Sequence, residues 1–277
     1  MLFRSHLTDL AGRDIARLVR LLGSDPAAVM DALVADLDAL RLDDEAEIMR
    51  RLRLAKQEGA LAIGLADLAG AWGTMAVTEA LTRLADATLN ASVRFCLADA
   101  ARRGKIELPD PNDPAIGSGW ILLAMGKHGA FELNYSSDVD LIVLFDRAVA
   151  RLADPDEAVD FFVRLTKRLV KLMQERTADG YVFRVDLRLR PDPGATPIAM
   201  SVLFDLASEV NRTGSVQAAH QLKALAGTLG LLERDPHTFL QGGAAADGLS
   251  AEQIDAQIAA RRTAKAEHNF AEADRKI

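Results

Sequence analysis

Two aspartates one residue apart, Asp138 and Asp140, close a run that begins Met125-Gly126-Lys127-His128-Gly129-Ala130-Phe131-Glu132-Leu133-Asn134-Tyr135-Ser136-Ser137. If the residues that follow form a strand, alternate side chains share a face and the two carboxylates project the same way. Two like charges side by side are costly unless a cation sits between them. Such a pair therefore suits a divalent metal that carries a nucleotide's phosphates. A third carboxylate, Asp186, lies on a later segment and completes a three-carboxylate set if that segment runs beside the first. Metals held by Asp138, Asp140 and Asp186 would activate an attacking oxygen and neutralise charge on leaving phosphates. The loop from Gly126 to Ser137, with Lys127, offers backbone N–H groups and the Ser136 and Ser137 hydroxyls to phosphate oxygens. Arg184, Arg188 and Arg190 alternate with Asp186 on one face and suit phosphates or a charged partner.

Blander readings exist for each piece alone. An Asp-x-Asp is commonly a solvated turn, glycines are often hairpin punctuation, and Arg188 and Arg190 fit an ordinary half-exposed strand. The order strand, loop, Asp-x-Asp strand, helix, Asp-bearing strand favours nucleotidyl transfer over these. Other residues carry less. His128 is expected to be a solvated loop histidine, and His220, His237 and His268 lack ligand spacing. Cys96 fits a small buried apolar side chain. Trp72 and Trp120 read as packing anchors, and Arg261-Arg262-Thr263-Ala264-Lys265 as a solvated helix face.

The elements that must position these groups follow from periodicity. Residues 1–104 read as helices, with stripes at Val29/Leu33/Leu37/Leu40, Ile48/Leu52/Ala55/Leu61 and Leu81/Leu84/Leu89/Val93. Lys105 to Gly119, with Pro109, Pro111, Pro114, Gly117 and Gly119, reads as a linker. Trp120–Met125 and Val139–Phe145 are short apolar runs expected to be strands. Asp154-Pro155 opens a helix with a cap and a first-turn proline, its buried face marked by Phe161, Leu165, Leu169 and Leu172. Gly180 is expected to end that helix. Tyr181–Arg190 alternates, with Val182, Arg184, Asp186, Arg188 and Arg190 on one face and Phe183, Val185, Leu187 and Leu189 on the other. Helices return over Val202–Asn211, Gln217–Glu233 and Ala251–Ala273. The expected architecture is α+β: a nucleotidyltransferase core at 119–200 between a helical segment at 1–104 and another at 202–277.

Composition narrows the setting. The chain has 277 residues, 49% of them hydrophobic and 26% charged, in the range of a soluble globular protein. Its net charge of −7 disfavours generic adhesion to nucleic acid or anionic membrane. The single cysteine excludes an internal disulfide or a cysteine-based zinc site and suits a reducing cytoplasm. Neither a bilayer-spanning apolar run nor a secretory leader is expected, so the location read from the sequence is cytoplasmic.

Leu123–Lys127, Glu132–Ile142 and Phe183–Pro191, with the helical stretches Leu54–Glu58 and Leu84–Ala87, resemble the glutamine synthetase adenylyltransferase/adenylyl-removing enzymes over roughly residues 27–200. The Glu-Leu-Asn-Tyr-Ser-Ser-Asp form is similar to the amino-terminal of that family's two catalytic halves. The resemblance implies a polymerase-β-like nucleotidyltransferase fold, Mg²⁺, and ATP, ADP and phosphate as substrates or products. It implies removal (or addition) of AMP at a tyrosine of glutamine synthetase, in the control of nitrogen assimilation, with a nitrogen-regulatory signalling protein as a further partner. It carries Asp138, Asp140 and Asp186 over as metal ligands. Family members are several times longer, and the similarity here stops near Met200. Val202–Arg212, Leu229–Pro236 and Phe270–Arg275 instead resemble the carboxy-terminal helical region of cysteinyl-tRNA synthetase. That likeness implies a helical module able to contact tRNA and carries no catalytic residue. The alternatives to an active enzyme are a tRNA-binding module and an inert truncated fusion.

Overall fold

The computed structural model describes residues 2–189, 198–201 and 203–228. Arg190, the Pro191–Pro197 stretch, the end of the Gln217–Glu233 helix, the Ala251–Ala273 helix, His237, His268 and the Arg261 run lie outside them. The chain divides into two units, Met1–Leu225 and Ala226–Ile277.

The first unit opens with α1 (Leu2–Arg13), α2 (Ile15–Leu22), α3 (Pro26–Ala39), α4 (Glu45–Leu68) and α5 (Thr74–Arg102). Local capping sets several boundaries. Asp14, Asp25 and Asp44 each accept a first-turn N–H, and Pro26 follows its cap at the position where a missing N–H costs nothing. The expected apolar stripes are the buried ones: Leu33, Leu37, Ile48, Leu52, Leu61, Leu81, Leu84 and Val93 all face the interior. Gly59 and Gly64 keep helices close, since a Cβ on either would meet Leu84 or Leu7 side-chain atoms at 2.7 Å.

After the helices come β1 (Ile106–Glu107), β2 (Trp120–Ala124), the single turn α6 (Gly126–Gly129), β3 (Val139–Phe145) and β4 (Arg151–Leu152). A 3-10 turn at Pro155–Glu157 leads into α7 (Ala158–Gln174), followed by β5 (Val185–Asp186), β6 (Met200–Ser201), α8 (Leu203–Thr213) and α9 (Val216–Thr228). The expected linker thus contains a strand, β1, which pairs with β4 in a two-stranded ribbon.

β3 is the centre of the main sheet. β2 runs antiparallel along one edge, from Trp120↔Phe145 to Ala124↔Leu141. The other edge holds β5 and β6 in parallel, β5 at Val139/Asp140 and β6 at Leu144/Phe145. Both faces of β3 are covered, which is why Val139–Phe145 is apolar without a break apart from Asp140. Val139, Leu141, Val143 and Phe145 join a core shared with α3, α4, α5 and α7. Ile142 and Leu144 face the other way, onto Met200, Leu206, Leu222 and Leu225 of β6, α8 and α9. The mixture of helix and sheet is the expected α+β class.

Two expectations about the sheet's surroundings fail. α7 stops at Gln174 rather than at Gly180, because the end of the helix is capped from outside. Arg53 of α4 donates to the carbonyls of Leu172, Glu175 and Gly180, and to Met49 in its own helix. Gly180 instead sits at φ +89 in a tight turn with Thr177. The alternation over Tyr181–Arg190 yields only the two-residue β5: Val182 and Phe183 are both buried, their N–H groups both donating to the Met173 carbonyl, and beyond the strand Arg188 N–H turns back to Asp186.

Candidate active site

The site is built around the first residues of β3. Asp140 is the register partner of Asp186, so in parallel strands the two side chains stand side by side on one face. That face is the one carrying Ile142 and Leu144, so α8 and α9 cover its far end while the carboxylates occupy the near end. Asp138 lies just ahead of the strand. The segment is tied to β5 by main chain as well, Val139 N–H donating to the Arg184 carbonyl at 2.8 Å.

Asp140 has no side-chain hydrogen bond or ion pair among the described residues. Burial, then the charges of Asp186 and Asp138, push its carboxyl above the usual aspartate range. The three carboxylates therefore feel one another. Each flanking carboxylate carries an arginine. Arg184 Nε reaches Asp138 Oδ1 at 2.5 Å, and its Nη2 donates to the Ser136 carbonyl at 3.0 Å. Arg188 holds both oxygens of Asp186, Nε at 3.0 and 2.9 Å and Nη2 at 2.5 Å, and its own N–H donates to Oδ1 at 2.8 Å.

Gly126 permits this packing. It sits at φ +55, and a Cβ there would stand 2.8 Å from Asp140 Oδ2. Gly129 allows α6 to close against β2, where a Cβ would meet the Ala124 carbonyl oxygen at 2.5 Å. α6 and the loop beyond it are pinned to the helices at three places. His128 Nε2 lies 2.7 Å from Asp86 Oδ1, Leu133 N–H reaches Thr82 Oγ1 at 3.4 Å, and Tyr135 donates to Asp67 Oδ2 at 2.9 Å. His128 is thus 1% exposed, not the solvated histidine expected, and its buried Nδ1 has no hydrogen-bond partner among the described residues.

The loop spends many of its polar groups on itself. Ser137 Oγ accepts from Asn134 N–H, and Ser136 N–H donates to Asn134 Oδ1, which makes a tight turn ahead of Asp138. Lys127 is exposed and makes no ion pair among the described residues. The first N–H groups of α6 have no acceptor within that turn of helix. Phe131, in the same loop, holds φ +59 with half its surface exposed, a backbone position that costs a bulky residue. No signal in the sequence marks it.

The donor set, three aspartate oxygens beside a glycine, is the hard-ligand chemistry of Mg²⁺. Among the described residues, no group of three His, Cys, Asp or Glu side chains is spaced to hold a metal ion. In the chain as it stands, Arg184 and Arg188 neutralise two of the three carboxylates instead.

A strand bearing one aspartate, its parallel neighbour bearing another, and a glycine turn packed against the first bring carboxylates together at one end of the sheet. The sequence pattern described as glutamate-ammonia ligase adenylyltransferase matches residues 11–204, more than two thirds of the chain, and the chain belongs to that family. Residues 195–233 match a second pattern, the DALR domain. The chain is 49% identical over 244 residues to the bifunctional glutamine synthetase adenylyltransferase/adenylyl-removing enzyme of Xanthobacter autotrophicus, covering 85% of this chain and 25% of that protein. The Bradyrhizobium diazoefficiens protein of the same description is 50% identical over 201 residues, 72% of this chain and 20% of that one. The Brucella suis protein is 47% identical over 210 residues, 75% and 21% respectively. The chain thus spans about a quarter or less of the length of these relatives. No helix among the described residues is long and apolar enough to cross a membrane.

Proposed function

We propose that this chain carries a polymerase-β-like nucleotidyl-transfer site that removes, or adds, AMP at a tyrosine of glutamine synthetase. The observation that supports it most is the register pair Asp140↔Asp186 with Asp138 two residues away. Asp138, Asp140 and Asp186 would hold Mg²⁺, which when bound supplies the positive charge that phosphoryl oxygens need in the transition state. Gly126 keeps Asp140 reachable. Lys127, Ser136, Arg184, Arg188 and Arg190 orient the phosphates, together with the Gly126–Ser137 loop. In the removal direction, an oxygen of inorganic phosphate attacks the phosphorus of adenylyl-tyrosine. The new P–O bond makes ADP, the P–O bond to tyrosine breaks, and the tyrosine oxygen takes a proton. In the other direction the tyrosine oxygen attacks the α-phosphorus of ATP and pyrophosphate leaves.

The test is Mg²⁺-dependent release of ADP from adenylylated glutamine synthetase and phosphate, comparing the chain with Asp138→Asn/Asp140→Asn. Release by the parent and not by the variant is the expected result. A folded parent that releases nothing, in either direction, overturns the proposal.

The DALR match keeps a second reading in view, a helical module that contacts tRNA. Retention of tRNA by the chain on a filter at physiological salt would favour it. The apolar side chains that α8 and α9 turn toward the sheet favour a packing role for those helices.

A further inference from the structure

We propose that Lys56 is an acylation site: its amine takes the acyl group of a small acyl phosphate, and the amide formed loosens the lead into β5. No carboxylate takes part in it, and it does not rest on the nucleotidyl-transfer reading.

Arg53, Lys56 and Gln57 share one stretch of α4 and grip the segment between α7 and β5. Arg53 holds the carbonyls of Leu172, Glu175 and Gly180, and Gln57 donates to the Asp179 carbonyl at 2.9 Å. Lys56 grips by other means. Its Nζ stands 3.7 Å from the centroid of the Phe183 ring, and it makes no hydrogen bond or ion pair among the described residues. Phe183 is buried, its N–H is held by the Met173 carbonyl, and Arg184 and β5 follow it directly. Other lysines sit differently: Lys171 is paired with Glu45, while Lys127 and Lys167 stand in solvent. Lys56 is partly exposed, so a small reagent can reach it.

An ammonium without a carboxylate in apolar surroundings is costly, and a ring face offsets only part of that cost. Burial lowers the amine from the usual lysine range to about 7, and no neighbouring charge contributes. The guanidinium groups closest in the chain to the amine and to its ring, Arg53 and Arg184, are spent on carbonyls and on Asp138. A large share of the Lys56 amine is therefore uncharged and nucleophilic at neutral pH, where an ordinary surface lysine is almost wholly protonated. The surroundings also select the reagent. A neutral amide relieves the cost of the cation, whereas a carbamate or a phosphoramidate would set an anion on the negative face of the ring. In the step, the Nζ lone pair attacks the acyl carbon and a C–N bond forms. The C–O bond to phosphate breaks, inorganic phosphate leaves with the electron pair, and the amine gives one proton to water. The amide keeps no charge to hold over Phe183, so α4 loses one of its grips on the segment.

Acetyl phosphate is the probe. The folded chain, exposed to it briefly at neutral pH and then digested, should carry acetyl at Lys56 about tenfold or more ahead of Lys127 and Lys167 by peptide mass spectrometry. In concentrated urea that preference should vanish. Hydrogen exchange over residues 181–186 should quicken in the acetylated chain and in Lys56→Gln, but not in Lys56→Arg, which keeps a cation for the ring. Labelling of Lys56 no faster than of the two surface lysines overturns the proposal. So does fast labelling that leaves exchange over 181–186 as it is in the parent, since the amide would then loosen nothing.

Discussion

His128 Nε2 stands 2.7 Å from Oδ1 of Asp86, joining the glycine turn of the site to the middle of α5. The ring is buried and its other nitrogen has no hydrogen-bond partner among the described residues. Removing one member of such a pair leaves a desolvated polar group, whereas removing both can be nearly neutral. Asp86→Ala should therefore cost about 1–3 kcal/mol in urea unfolding. His128→Leu combined with Asp86→Ala should recover part of that loss. Equal destabilisation of the single and double variants would show that the pair is not a buried polar contact.

Gly126 and Gly70 both hold left-handed φ, +55 and +67, but only Gly126 has a neighbour in the way. Gly126→Ala and Gly70→Ala should each lose about 1–2 kcal/mol of stability from the backbone alone. Only Gly126→Ala should also weaken Mn²⁺ binding, by tenfold or more, because its methyl group displaces Asp140. Isothermal titration of the two variants side by side separates the effects, and equal weakening in both would remove Gly126 from the site.

Arg53→Met leaves the carbonyls of Leu172, Glu175 and Gly180 without their buried donor. The expected cost is about 3 kcal/mol or more. Hydrogen exchange should quicken first in the last turn of α7 and in the turn at Thr177–Gly180. Loss spread evenly over the chain would count against a local capping role.

The acid side of stability belongs to a cluster far from the site. Burial alone would raise the Asp99 carboxyl, but the hydrogen bond and charge of Arg168, with Arg103 and Arg102, outweigh it and hold the group below the usual aspartate range. Glu45 is lowered chiefly by its hydrogen bond from Lys171 and then by Arg168. Carboxyls depressed in the folded state stabilise it above their ordinary range, and that stability is lost as pH falls through the depressed values. Parent stability should thus decline below about pH 4. Arg168→Met should be less stable at pH 7 and decline less steeply on the acid side. Parallel pH profiles for the two proteins would contradict this.

Much of the positioning was legible because it is local. The apolar run of Val139–Phe145 announced a strand buried on both sides, whereas Asp138, expected to share its alternation with Asp140, lies just ahead of it. That Asp186 would lie beside Asp140 was conditional on strand order, which the helix between them made the natural parallel connection. What stayed hidden depends on contacts between distant residues. Gly180 looked like a helix stop, yet Arg53, 127 positions earlier, sets the end of α7. His128 looked solvated because its partner sits 42 residues back on another helix. The arginine partners of Asp138 and Asp186 were visible as phosphate ligands and not as counter-ions, since a pattern of alternating charges fits both roles. Arg190 and the helices expected beyond Thr228 fall outside the described residues.

β3 divides its residues by parity: Val139, Leu141, Val143 and Phe145 belong to the helical core, while Asp140, Ile142 and Leu144 belong to the opposite side. A slip of one position along the sheet would bury Asp140 among leucines and phenylalanines and turn Leu141 toward the arginines. Such a chain could not settle, because an unpartnered aspartate cannot be afforded in an apolar core. The same frame that aligns the strand also aims the carboxylate, so mispairing produces an unfolded molecule and never a folded one with Asp140 facing the wrong way.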